Sequence, residues 1–172
     1  MSEQKLTHVD ETGAARMVDV SAKAVTAREA TAAGRVLVSA EVVALLRGTG
    51  VPKGDAVAVA RIAGIAGAKR TPDLVPLCHP IALHGVTVDV EVADDAVEIT
   101  ATARTADRTG VEMEALTAVT VAGLTMIDMV KAVDPRAAIT DVRLLRKSGG
   151  KSGEWTRSGP QDSRAAGEEQ HR

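Results

Sequence analysis

The run TGVEMEALTAVTVAGLTMIDMVK, residues 109–131, constrains this chain more than any other stretch. It is almost wholly Ala, Val, Leu, Ile and Met, with no proline, and it reads as one long helix. Thr109 is placed to cap it, with Glu112 three positions on to complete a capping box. Asp134-Pro135 marks its end. A helix apolar around most of its circumference must be covered on more than one side. Yet Lys131, Thr117, Asp128, Glu114 and Thr125 share a stripe roughly 120° wide. Ionisable groups in covered positions are costly unless paired or at work.

Asp128 and Lys131 are three residues apart and therefore neighbours on one face. Two readings stand side by side: an ordinary ion pair on a solvated face, or a shielded pair in a site. The flanking Ile127, Met129 and Val130 favour burial. Glu114 cannot join that pair within one helix, because fourteen residues at about 1.5 Å each set it roughly 21 Å away.

At 172 residues the chain suits one domain with a real core. With no Phe, no Tyr and one Trp, that core is built from small aliphatic side chains. Each of these buries little area, so further apolar burial between subunits is expected, and with it an oligomer. The formal charge of −2 offers no basic field for nucleic acid. A lone Cys78 precludes an internal disulfide and suits a reducing compartment. No signal peptide is evident, and Thr and charge interrupt the apolar helix too often for a membrane span. A cytoplasmic protein with neither membrane nor nucleic-acid partners is expected.

Along the chain, residues 1–16 are polar and irregular. A strand is expected at Arg35–Val38, then a helix capped by Ser39 and running through Arg47. A second helix opens at Lys53-Gly54-Asp55 and runs from Ala56 to about Lys69. Its Gly64 and Gly67 permit close approach of another backbone. LVPLCHP, residues 74–80, holds two prolines and must be fixed and irregular. Val86, Val88, Val90 and Val92 alternate with polar residues, and Val97, Ile99, Ala101 and Ala103 resume the pattern after Ala93-Asp94-Asp95. That is a hairpin with one buried face. Ile139–Arg146 is a last strand, Lys147–Gly153 a mobile loop, and 159–172 a disordered tail beyond a single catalytic domain of residues 1–158. The order is that of an α+β, ferredoxin-like antiparallel sheet with helices on one face.

Basic residues cluster at element ends: Lys53, Lys69, Arg70, Lys147 and Lys151. Lys69-Arg70 can answer the dipole of the helix it ends. KSGGKSG is either a solvated tail or a glycine loop whose N–H groups wrap phosphates. It is not a P-loop, since Leu145 stands where that pattern needs glycine. Cys78, His79 and His84 match no zinc spacing, so no metal site is expected. Together these groups describe an acidic-basic pocket with a phosphate-binding rim.

KGDAVAVARIAGIAGAKRTPDLVPLCHP, TGVEMEALTAVTVAGLTMIDMVKAV and VRLLRKSGGKSG resemble the molybdenum cofactor biosynthesis protein C family of cyclic pyranopterin monophosphate synthases. LTHVDETGAARMVDVSAK is similar too, so the resemblance covers residues 6–153. It implies action on 3′,8-cyclo-7,8-dihydroguanosine 5′-triphosphate, whose purine becomes a pterin while a cyclic phosphate forms and pyrophosphate leaves. It implies catalysis by Lys53, Asp128 and Lys131, with Leu77, Cys78, His79, Met113 and Glu114 on substrate. Glu112, beside them, joins the binding set, as do Lys69, Arg70, Lys147 and Lys151 at the phosphates. The resemblance also implies a ferredoxin-like fold and a homohexamer, a trimer of dimers. No cofactor is required on this reading, with Mg²⁺ a possible companion of the triphosphate. Many relatives have Lys where this chain has Arg108; charge is kept, but Arg stays protonated and cannot transfer a proton.

Overall fold

A computed structural model describes residues 8–9, 12–48 and 55–158. Lys53 and the 159–172 tail lie outside the described residues. Strand β1 (Thr26–Leu37) is followed by helices α1 (Ala40–Arg47), α2 (Ala56–Ala68) and the short α3 (Thr71–Leu74). Then come β2 (Gly85–Val92), β3 (Ala96–Asp107), helix α4 (Glu112–Val130), β4 (Ala138–Ser148) and β5 (Trp155–Thr156). The five strands form one antiparallel sheet in the order β2-β3-β1-β4-β5. The fold is α+β.

Alternation sets the core. Val88 and Val90 of β2, Val97, Ile99, Ala101 and Ala103 of β3, and Ala30, Ala32 and Val36 of β1 all face α2 and α4 and are buried. The opposite face carries Glu29, Arg35, Glu98, Arg104 and Arg146, joined in ion pairs, with Thr31 and Thr102 bonded at 2.8 Å. A core of small side chains succeeds here through close approach. A Cβ on Gly64 would meet the Ala118 carbonyl oxygen at 2.9 Å, and one on Gly67 would meet Val121 at 2.8 Å. The glycines of α2 therefore let it lie directly on α4, which brings dispersion contacts that larger side chains would otherwise supply.

Helix starts follow local chemistry. Ser39 caps α1, its hydroxyl accepting from the Val42 N–H, and Asp55 caps α2 through the Ala58 N–H. At α4 the expected capping box is absent. The N-cap is Val111 and no side chain caps it; the Glu112 carboxylate turns instead to Lys147 Nζ, 2.9 Å away. Asp134, buried after α4, accepts from the Ser39 N–H at 2.7 Å and so ties the end of α4 to the start of α1.

The strand expected to be last is not: β5 (Trp155–Thr156) follows and pairs with β4, and other elements also differ from the sequence reading. β1 begins nine residues before Arg35, at Thr26. Its AREATAAG portion has Thr31 as its only β-branched residue, and pairing on both sides with β3 and β4 overrides that weak propensity. Lys147 and Ser148 are strand residues rather than loop, because Lys147 is paired with Ala30 on one side and Trp155 on the other. By length and composition alone α4 does pass for a membrane span, contrary to the reading from its Thr and charges. Its apolar surface is accounted for by the core: Ala115, Ala118, Val119, Ala122, Met126 and Val130 are buried against sheet and α2.

Candidate active site

Two adjoining cavities open at the N-terminal end of α4. The smaller, about 370 Å³, is lined by Leu77, Cys78 and His79, by Glu112, Met113 and Glu114, and by Val18, Val20, Lys23 and His8 of the N-terminal arm. The larger, about 810 Å³, is lined by Lys23, Arg28, Arg108, Lys147 and Lys151, with Glu29, Glu112 and the Gly149-Gly150 turn. Lys23, Thr109, Gly110 and Glu112 belong to both, so the two form one continuous depression.

Each wall has a local cause. The prolines at 76 and 80 keep the 75–80 segment out of helix and strand, and Cys78 N–H donates to the Val75 carbonyl. His79 Nε2 lies 2.7 Å from the Val18 carbonyl oxygen. A carbonyl only accepts, so Nε2 carries a proton, and the arm and the histidine fix one another. Arg28 donates through Nε to the Asp107 carbonyl at 2.9 Å and through a terminal nitrogen to the Arg108 carbonyl at 3.1 Å. It thereby holds the turn that leads into α4. Gly149 and Gly150 have φ of +91° and +71°, and a Cβ on Gly149 would overlap the Ala27 carbonyl. Only glycine fits this approach, which sets the turn beside Arg28 and Lys151 at the cavity wall.

The electrostatics of the two cavities are opposite. The larger has five cationic side chains against Glu29 and Glu112, and Glu29 is already held by Arg104 and Arg146. It suits a polyanion. In the smaller cavity Glu114 is 3% exposed, and its Oε2 has no hydrogen-bond partner. Burial pushes its carboxyl up to about 7, against a weaker downward pull from its own N–H, and the Glu112 charge adds to the rise. Burial also pushes the Cys78 thiol up, with Glu114 contributing. Such a pocket accepts a polar, largely uncharged ring system with protons to exchange.

The structure thus brings together Leu77, Cys78, His79, Glu112, Met113 and Glu114, and joins Lys147 and Lys151 to them across Glu112. It does not bring Asp128 and Lys131 there. That pair closes at 2.7 Å at the far end of α4, with side chains 55% and 58% exposed, so the burial expected from its apolar neighbours is not found within one chain. Met129 and Val130 are indeed buried, but on the opposite side of the helix, towards the core. Lys69 and Arg70 end α2 at the surface and line neither cavity; Arg70 meets Asp73 at 3.4 Å. Lys53 lies outside the described residues. Among these residues no group of three or more His, Cys, Asp and Glu is arranged to hold a metal ion.

Sequence reasoning missed the roles of Lys23, Arg28, Arg108 and Val18. Arg28 was hidden because β1 was read as starting after it. The Val18–His79 bond joins residues 61 apart, and no spacing rule announces such a contact.

Comparison with known proteins bears directly on this depression. The MoaC family matches residues 17–150, which include most of the lining of both cavities and the Asp128–Lys131 pair. A cyclic pyranopterin monophosphate synthase of Streptomyces coelicolor is 74% identical over 156 residues, covering 91% of this chain and 92% of that protein. One from a Nocardioides species is 68% identical over 159 residues, covering 91% and 98%. Cyclic pyranopterin monophosphate synthase 2 of Mycobacterium tuberculosis is 62% identical over 153 residues, covering 89% and 92%. With most of each chain matched at such identity, this protein belongs to the MoaC family.

Proposed function

We propose that this protein converts 3′,8-cyclo-7,8-dihydroguanosine 5′-triphosphate into cyclic pyranopterin monophosphate and pyrophosphate, a lyase step in molybdenum cofactor biosynthesis. The observation that carries the reading is the pair of joined cavities, one basic and glycine-walled, the other lined by Glu114, Cys78 and His79. A triphosphate sits against Lys23, Arg28, Lys147 and Lys151, and the ring system enters the smaller cavity. Charge building on the departing pyrophosphate is met by fixed cations. No cofactor is required on this reading; Mg²⁺ would be a counter-ion of the triphosphate where it is present.

Asp128, Lys131 and Lys53 are the proposed proton-moving groups, and the distance of Asp128 and Lys131 from the two cavities favours a site shared with a second subunit. Asp128 stands roughly 21 Å along α4 from Glu114. Two copies packed with their α4 helices antiparallel about a two-fold axis bring the Asp128 end of one to the Glu114 end of the other. Support comes from the outer face of the helix pair, where Leu124 is 61% and Ile62 68% exposed beside the less exposed Val59. Such a face is covered in an oligomer, and a trimer of dimers is the assembly proposed. The ferredoxin-like arrangement is supported by the strand order β2-β3-β1-β4, to which β5 is added at the edge. Residues 1–158 act as the catalytic unit. A cytoplasmic setting, away from membrane and nucleic acid, suits the single thiol and the charge of −2.

The test is direct. Protein incubated with the cyclised GTP derivative releases pyrophosphate and yields a fluorescent pterin after oxidation. Binding of the triphosphate without pyrophosphate or pterin would instead mark a nucleotide-sensing protein.

A further inference from the structure

Among the described residues Glu114 is the one acidic side chain of the site that is sealed from solvent, and one of its oxygens is unanswered. It is 3% exposed, it lines the smaller cavity, and Oε2 has no hydrogen-bond partner. A buried carboxylate without a partner is far costlier than a buried carboxylic acid. Among the described residues, none of the groups that line this cavity forms an ion pair with Glu114. Glu112, on its own helix, is an acid, and the nearby Lys147 of β4 is taken by Glu112 at 2.9 Å. Cys78 is a thiol made less acidic by burial. His79 points Nε2 to the Val18 carbonyl. Lys23 and His8 line the same cavity from the arm, and both are exposed. A second copy's Asp128 and Lys131 arrive already joined to each other.

We propose that Glu114 is a catalytic proton carrier for the pterin-forming rearrangement, holding its proton in the resting site, rather than only a substrate-binding side chain. The inference rests on the pterin-forming reading of the cavity. A purine becomes a pterin by breaking and remaking carbon–nitrogen bonds. As such a bond breaks, the electron pair stays on nitrogen, and the Glu114 carboxylic acid passes its O–H proton to that nitrogen. Glu114 is then a carboxylate. When a nitrogen attacks carbon to close the new ring, it sheds a proton, which the carboxylate takes back. The residue ends as it began, and no oxidant or reductant is involved. The upward displacement of its titration towards 7 matches an acid that must both give and regain a proton near neutrality.

Glu114→Gln keeps the shape and a hydrogen-bonding head without the transferable proton. Turnover of the cyclised triphosphate by the full-length Gln variant should fall about a hundredfold or more, while substrate Kd moves less than about threefold. Glu114→Asp should keep part of the turnover, with its pH profile displaced from that of the wild type. In wild-type protein carrying ¹³C-labelled glutamate, infrared difference spectra against Glu114→Gln should show a carboxylic-acid C=O band at about pH 6, where ordinary glutamates are ionised. A Gln variant working within about fivefold of wild type overturns the proposal, as does absence of that band. If the Gln variant fails to fold by circular dichroism, the labelled wild type compared above and below neutral pH decides through the same band. A wild type that makes no pterin removes the functional reading and this proposal together. An active wild type with an active Gln variant removes this proposal alone.

Discussion

The two ends of α4 carry the same kinds of residue in opposite surroundings. At the N-terminal end Glu114 is buried with Oε2 lacking a hydrogen-bond partner, and Glu112 is locked to a lysine from β4. At the C-terminal end Asp128 and Lys131 are joined to each other and more than half exposed. The first end is enclosed by the arm, the 75–80 segment and the glycine turn; among the described residues nothing of this chain encloses the second. A buried, unanswered acid costs stability and persists where function requires it. An exposed, self-satisfied pair costs almost nothing and contributes little. The N-terminal end is therefore a site already built, and on the proposed reading the C-terminal end is half of one, its surroundings supplied by another copy.

The comparison is broken most severely at the exposed end. Asp128→Ala or Lys131→Ala should lower turnover at least a thousandfold while changing unfolding free energy by less than about 1 kcal/mol, because within its own chain the pair is more than half exposed. Turnover paired with urea denaturation checks both halves. Near wild-type turnover would remove the residue from the catalytic set.

At the buried end the larger effect falls on stability. The Glu114 carboxyl titrates near 7 in the folded chain and near the ordinary carboxylate value when unfolded. Between those values the native state binds more protons than the unfolded state, so the contribution of this group to stability falls as pH rises through the window. Glu114→Gln escapes that loss. It should gain roughly 2–3 kcal/mol relative to wild type between pH 5 and pH 8. Denaturant midpoints at the two pH values measure it, and an offset independent of pH would show that Glu114 is not held neutral.

Between the two ends lies the phosphate wall. Lys151→Ala should weaken triphosphate binding about tenfold and leave a phosphate-free analogue nearly unaffected. Lys147→Ala should do the same and, by releasing Glu112, also disturb the ring cavity. Equal losses for both ligands in the Lys151 variant would mean that the turn does not read phosphates. The smallest effect is expected at Lys69 and Arg70, which stand clear of both cavities. Alanine there should cost less than about threefold in affinity. A loss as large as that at Lys151 would show that a neighbouring copy brings this basic pair to the phosphates.

Much of this arrangement was legible in the sequence because it is written in local signals. The alternation of Val86–Val92 and Val97–Ala103, the Ser39 cap, the start of α2 at Ala56 and its glycines each follow from short-range chemistry, and each is found in place. β1 was half lost because an Ala-rich strand acquires its conformation from neighbours on both sides. The Thr109–Glu112 cap failed because a lysine 35 residues away offered Glu112 a stronger partner. At the site, the residues of LCH and ME were identified by resemblance, and the structure brings them to one cavity. What neither composition nor spacing revealed is the N-terminal arm across the histidine and Arg28 beneath the turn. Both are long-range contacts through main-chain carbonyls, which leave no trace in residue type.

The central claim, that one site is made from opposite ends of α4 in two subunits, is tested most directly by subunit mixing. Inactive Glu114→Ala and Asp128→Ala proteins are unfolded together and refolded, with exchange confirmed by native mass spectrometry. Random pairing makes half the dimers mixed, each with one intact site of two, so roughly a quarter of wild-type turnover should return. Mixed dimers that remain without activity would place the whole site within one chain and contradict the account.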